Sequence, residues 1–323
     1  MTYSQGGTIE ATDYNTRAAN VNAIWGTGAG SNGYGQSSTL SNVTAGSGSI
    51  AAGTNSTNPQ IYANAAAATN WAGLISRIDA IRLHQSGAAS SLTQPTAGST
   101  ITYLSTLDAN ITACVTNKLS ANTRGTAAPT ALGNPAASNA TAWTSTAIKE
   151  ISITFTSTDT VRYFFNSGGL LTTYAAVVSG TTTKATDWNT FLTNTVGTIT
   201  LGSNFCSRSG TGGDNLTQNT SIGFHNLTTT YQTLFNIGST SATADYGLNS
   251  CLIQAKVGGA LYGASSNVVY LKWTMTDSAT DVLNDTVAGT TAVYAGYTPP
   301  ETTYLANTWG TPGTAAVVTN TQT

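Results

Sequence analysis

The stretch IKEISITFTS, residues 148–157, sets Ile151, Ile153 and Phe155 on alternate positions behind Ile148, with polar residues between them. A two-residue apolar period is that of a strand with one face on a core. Upstream the period is helical. EATDYNTRAANVNAIW (10–25) spaces Tyr14, Ala18, Val21 and Trp25 for one helix face, with Thr12 or Asp13 as cap. A second helix runs from about Pro59 to Gln85 on the stripe Trp71, Leu74, Ile75, Ile78 and Ile81, with Arg77, Asp79 and Arg82 towards solvent; Ser86-Gly87 closes it. A third, about Ile101–Leu119, keeps Leu104, Leu107, Ile111 and Val115 in register. The first two blocks are loosely alike, too degenerately for a solenoid repeat.

Between the two regimes lies ANTRGTAAPTALGNPAASNATA (121–142), aperiodic and rich in Pro, Gly and Ala, the composition of a linker. Downstream, VRYFFNSGGLLTTYAAVV (161–178) reads as two strands around Asn166-Ser167-Gly168-Gly169, a hairpin signal. Further strands are expected at Val196–Gly202, Ser221–Leu227, Tyr246–Val257 and Asn267–Thr276. Short helices are expected at Ala185–Thr195, capped at Thr186 or Asp187, and at Thr229–Leu234. The fold class is therefore α+β: an N-terminal helical region (1–120), a linker (121–143), a mainly antiparallel β-sandwich (144–298) and an extended C-terminal arm (299–323).

Only 7% of the 323 residues are charged, with 11 Lys+Arg against 13 Asp+Glu, where an ordinary soluble domain has roughly 25%. A freely diffusing protein keeps its neighbours away with charge of both signs; a subunit packed against others needs less of it. No basic stripe exists for phosphates, so nucleic acid is not an expected partner. No apolar run reaches the ~20 residues of a membrane span, and MTYSQGGTIEATDYN has neither the basic nor the apolar region of a signal peptide. Cys114, Cys206 and Cys251 read as isolated buried thiols, as after synthesis in a reducing cytosol.

Gly28-Ala29-Gly30-Ser31-Asn32-Gly33 satisfies GxGxxG but follows a helix rather than a strand, which makes it a turn and not a phosphate cradle. No cofactor is expected. His84 ends the second helix, where its ring would bond exposed carbonyls, and His225 alternates on a strand beside Phe224. Asp277, Asp281 and Asp285 recur every fourth residue: like charges at that spacing repel, favouring a loop or solvated face, with Ca²⁺ coordination as the alternative. Asp159, Asp187, Asp214 and Asp245 stand in turn or cap contexts, not as the converging pair a glycosidase needs. Trp25, Trp71 and Trp273 lie on apolar stripes, whereas Trp309 stands in the tail without a local core.

NVNAIWGTGAGSNGYGQS (20–37), IRLHQSG (81–87), ITYLSTLDANITACVTNK (101–118) and above all VRYFFNSGGLL (161–171) resemble segments of virion structural proteins of tailed bacteriophages, particularly marine T4-like cyanophages. The resemblance runs through most of residues 1–275 and brings no catalytic residues. It implies a non-enzymatic component of tail, baseplate, neck or fibre, assembled in the bacterial host cytoplasm, whose partners are copies of itself and other virion proteins. Packing contacts are expected from Trp25, Tyr34, Trp71, Tyr304 and Trp309. A carbohydrate-binding module for a host surface glycan is the alternative, and would require a solvent-facing tyrosine or tryptophan platform on the β-domain. A polysaccharide-degrading enzyme would require paired carboxylates in one groove.

Overall fold

The computed structural model describes residues 11–37, 39–41, 68–94, 104–121, 128–133, 135–239, 249–278 and 286–323. The chain divides into two units: Met1–Arg124 with Glu301–Thr308, and Gly125–Pro300 with Trp309–Thr323. The first holds three helices, α1 (Ala11–Trp25), α2 (Ala68–Ser86) and α3 (Leu104–Thr116). Each buries the face its period indicates: Tyr14, Ala18, Val21 and Ile24 on α1, Trp71, Leu74, Ile78 and Ile81 on α2, Leu107 and Ile111 on α3. Val115, expected in register, is instead 41% exposed, and Cys114 takes the core position. The Arg17 guanidinium joins α1 to α3 through two 2.7 Å bonds to the Asp108 carboxylate. The expected start of the second helix, 59–67, and residues 101–103 of the third lie outside the described residues. The glycine-rich segment after α1 is a turn: Gly28 has φ +45°, and a Cβ there would fall 2.4 Å from the Ala23 carbonyl oxygen.

The second unit is built on two antiparallel sheets, as the α+β reading requires. In the first, β1 (Thr130–Ala131), β11 (Thr290–Thr298), β4 (Leu170–Val178), β5 (Ile199–Leu201) and β6 (Cys206–Arg208) follow in that order, and β2 (Ala137–Asn139) also pairs with β11. The second orders β12 (Ala316–Gln322), β3 (Thr146–Thr154), β10 (Val268–Thr276), β9 (Ser250–Val257), β8 (Gln232–Gly238) and β7 (Asp214–Gln218). Strict alternation on β9 and β10 buries Cys251, Ile253, Ala255 and Val257 with Val269, Leu271, Trp273 and Met275. The Trp273 indole donates across to Thr173 of β4 at 3.1 Å.

Several expectations are corrected. Val161–Asn166 is not a strand but part of α4 (Thr158–Asn166), opened by a capping box between Ser157 and Thr160. Asp159, Arg162 and Asn166 share one side of this helix, but so short a run of apolar residues does not by itself separate helix from strand. Gly169 follows because a Cβ there would lie 2.6 Å from the Phe164 ring. Phe164 and Phe165 pack on Phe155, and Phe165 stacks on Phe224 at 4.6 Å. Thr229–Leu234 does not form a helix: its second half enters β8. Ser221–Leu227 is not a strand but carries one 3₁₀ turn, Phe224–Asn226. The helix expected at Ala185–Thr195 begins earlier, as α5 (Thr183–Thr190) capped by Thr182, and continues as a π-helical turn, Phe191–Val196.

The expected linker and arm are also partly structured. Residues 130–139 supply β1 and β2 to β11. The tail returns to the sheet: Gly313 N–H donates to Thr154 O at 2.8 Å, and β12 completes the border beside β3. A Thr- and Val-rich tail finds its stability in the unpaired edge of β3, a partner far away in sequence.

Candidate binding surfaces

The five expected contact residues prove mostly to be interior. Trp25 is 8% exposed, its indole donating to Ser37 O at 3.0 Å beneath the Arg77 guanidinium. Tyr34 is fully buried, its hydroxyl accepting from Gln85 and its ring set edge-on to His84. Trp71 packs edge-on against Tyr14. Trp309, expected to lack a local core, is 1% exposed. A ring already enclosed by its own chain has no face left for a partner; of the five, only Tyr304 remains exposed.

The candidate chemistry resolves similarly. His84 does not stand at an exposed helix end. It is buried against Tyr34, and burial lowers its pKa to about 4. His225 lies on the 3₁₀ turn between two partners: Asn166 Oδ1 at 2.7 Å from Nε2 and the Tyr262 hydroxyl at 2.8 Å from Nδ1. An amide oxygen only accepts, which puts the imidazole hydrogen on Nε2 and leaves Nδ1 to accept from Tyr262. Tyr262 holds φ +66°, costly for a non-glycine residue, and this bond secures the turn it belongs to. Asp277 faces no solvent: it pairs with Lys184 at 2.8 Å, both side chains fully buried, while the Trp188 indole donates to the same oxygen at 3.3 Å. Asp281 and Asp285 lie outside the described residues, as does Asp245. Among the described residues, no three His, Cys, Asp or Glu side chains gather as a metal set, and no helix is long and apolar enough to cross a membrane. All three cysteines are buried thiols, with burial raising Cys114 to about 12 and Cys206 to about 11.

Two surface groups emerge that the residue types alone did not single out. On the outer face of the first sheet, Tyr174 of β4 and Tyr294 of β11 are direct cross-strand partners, and their rings stack at 4.6 Å and 9°. Tyr174 is 41% exposed. Neighbouring positions on that face are Thr172, Ala176, Ala292 and Gly296, small and uncharged.

On the outer face of the second sheet, Lys272 stands opposite both Glu150 and Gln254, and Tyr270 opposite both Ser152 and Lys256. Tyr231, just before β8, donates its hydroxyl to Glu150 Oε1, and Thr319 of β12 donates to Oε2 at 3.0 Å. Burial, reinforced by that carboxylate, raises the Tyr231 pKa well above its ordinary value, so the phenol stays a donor. The Lys256 ammonium lies 4.4 Å from the Tyr231 ring centre and 4.7 Å from that of Tyr270; Lys272 lies 5.2 Å from Tyr231. Comparison with known protein families, curated proteins and solved structures finds no match to this chain.

Proposed function

We propose that this chain is a non-enzymatic structural subunit of a tailed-phage particle, in tail, baseplate, neck or fibre, acting by packing against copies of itself and other virion proteins. The observation that carries the packing part is the border strand β12. It has no charged side chain, and Val317 and Val318 are 53% and 48% exposed. At the opposite border, β7 exposes Leu216 at 59%. Lone soluble sheets usually guard such borders with lysine, proline or a covering loop; apolar borders with few charges suit a surface that is covered on assembly. The placement in a phage rests on the likeness of the four sequence segments to virion proteins. Sedimentation of the purified chain tests the packing, with concentration-dependent oligomers expected and their weakening in a Val317→Lys, Val318→Lys variant. A chain that stays monomeric at all concentrations and is missing from the peptides of purified particles refutes the proposal.

A second reading, recognition of a host surface glycan, is favoured by the Tyr174–Tyr294 pair, since exposed aromatic rings stack on sugar rings. Tyr174→Ala with Tyr294→Ala is expected to abolish binding to neutral glycans on an array; an array with no neutral-glycan signal for the unaltered chain removes this reading.

A further inference from the structure

The five lysines of this chain are not alike. Lys118 donates to Asn32 Oδ1 at 2.7 Å, Lys149 to Asn320 Oδ1, and Lys184 pairs with Asp277. Lys256 and Lys272 have no carboxylate within ion-pair distance among the described residues, although Glu150 stands directly across from Lys272. Both oxygens of Glu150 are instead engaged by the hydroxyls of Tyr231 and Thr319. The two ammonium groups rest on tyrosine ring faces, which offer them electron density but no hydrogen-bond acceptor. In a chain where only 7% of residues are charged, two cations sharing one sheet face with two half-buried tyrosines and Gln254 form a concentrated feature.

We propose that this face, centred on Lys256, Lys272, Tyr231 and Tyr270, binds an acidic sugar unit of a surface polysaccharide through its carboxylate. The ammonium groups take the carboxylate in charge-assisted hydrogen bonds. The tyrosine rings hold those groups in place beforehand, reducing the ordering cost on binding, and offer ring area to the sugar. Two ammonium groups against the one carboxylate of Glu150 leave a single net positive charge. That matches a monoanionic carboxylate and disfavours a dianionic phosphate. The site goes beyond the neutral stacking surface at Tyr174 and Tyr294, stands on the other sheet, and does not depend on it.

The test is calorimetry on the full chain with a hexagalacturonate, a neutral maltohexaose and inorganic phosphate as probes. Hexagalacturonate is expected to bind in preference to the other two. Lys256→Met and Lys272→Met, which keep the apolar stems, are each expected to lower its affinity about tenfold. Glu150→Gln is expected to raise affinity severalfold by removing the competing anion, a gain that misfolding would not produce. Absence of hexagalacturonate binding overturns the proposal, as does binding indifferent to both lysine substitutions. Tighter binding of phosphate than of hexagalacturonate overturns the assignment of an acidic sugar.

Discussion

Replacing Lys184 with Met should unfold the β-rich unit at markedly lower temperature, and the reason lies in the pair it forms. Lys184 Nζ and Asp277 Oδ2 are 2.8 Å apart, and neither side chain reaches solvent. Two such charges lose their hydration on folding, and their mutual attraction offsets that loss only while both are present. Lys184→Met leaves a carboxylate enclosed without its counter-charge, which costs about 3–5 kcal/mol. For a unit of this size, each kcal/mol moves Tm by about 2–4 °C, so a fall of roughly 6–20 °C is expected. Asp277→Leu alone should cost a comparable amount by stranding the ammonium. The double variant should cost far less than the two singles combined, since an apolar pair of similar volume needs no hydration. Trp188, which donates to Asp277 and packs edge-on against Trp143 at 4.9 Å, supplies a local fluorescence signal for the transition. Single substitutions costing under about 1 kcal/mol, or a double variant as destabilised as the sum, would show the pair to be hydrated and the argument wrong.

In the helical unit, His84 keeps a pKa of about 4 when folded against 6.5 for an ordinary imidazole. Between those values the unfolded chain takes up a proton that the folded one refuses, so stability falls as pH falls, by about 3 kcal/mol in all; urea midpoints at pH 6.5 and 4 should differ accordingly, and less in His84→Leu. Gly169→Ala puts a methyl group 2.6 Å from the Phe164 ring and should cost about 1–3 kcal/mol in chemical denaturation; a neutral result would mean that the ring moves freely. Ser157→Ala removes the bond to Thr160 N–H that opens α4 and should cost about 1 kcal/mol by the same assay.

The helices of the first unit were legible because each is amphipathic: a stripe at 3.6-residue spacing is visible without knowing what it packs against. β9 and β10 were legible for the same reason at a period of two. VRYFFN was not, because so short an apolar run does not separate helix from strand, and its aromatic and β-branched content imitates a strand. β11 was missed although TTAVYAGYT stands between Gly289 and Pro299 with Val and Tyr at its centre; that flanking punctuation was the available signal. Trp309 was misplaced because no local apolar period surrounds it in the tail, yet its ring is buried. Lys149 sits on the inward face of β3, fully buried, and burial lowers its pKa to about 8. Its identity argued for the outside; strand alternation argued for the inside, and alternation prevailed.

The sequence by itself determined the class, the change from helical to strand period before Ile148, and the scarcity of charge, because these are properties of composition and of neighbours within one turn or one strand. Only the tertiary structure decided which aromatic rings are enclosed, that the tail closes one sheet border, and that Tyr174 meets Tyr294 and Lys256 meets Tyr231. Those meetings depend on register between strands remote in the chain. A one-residue slip in that register would send each of these side chains to the opposite face.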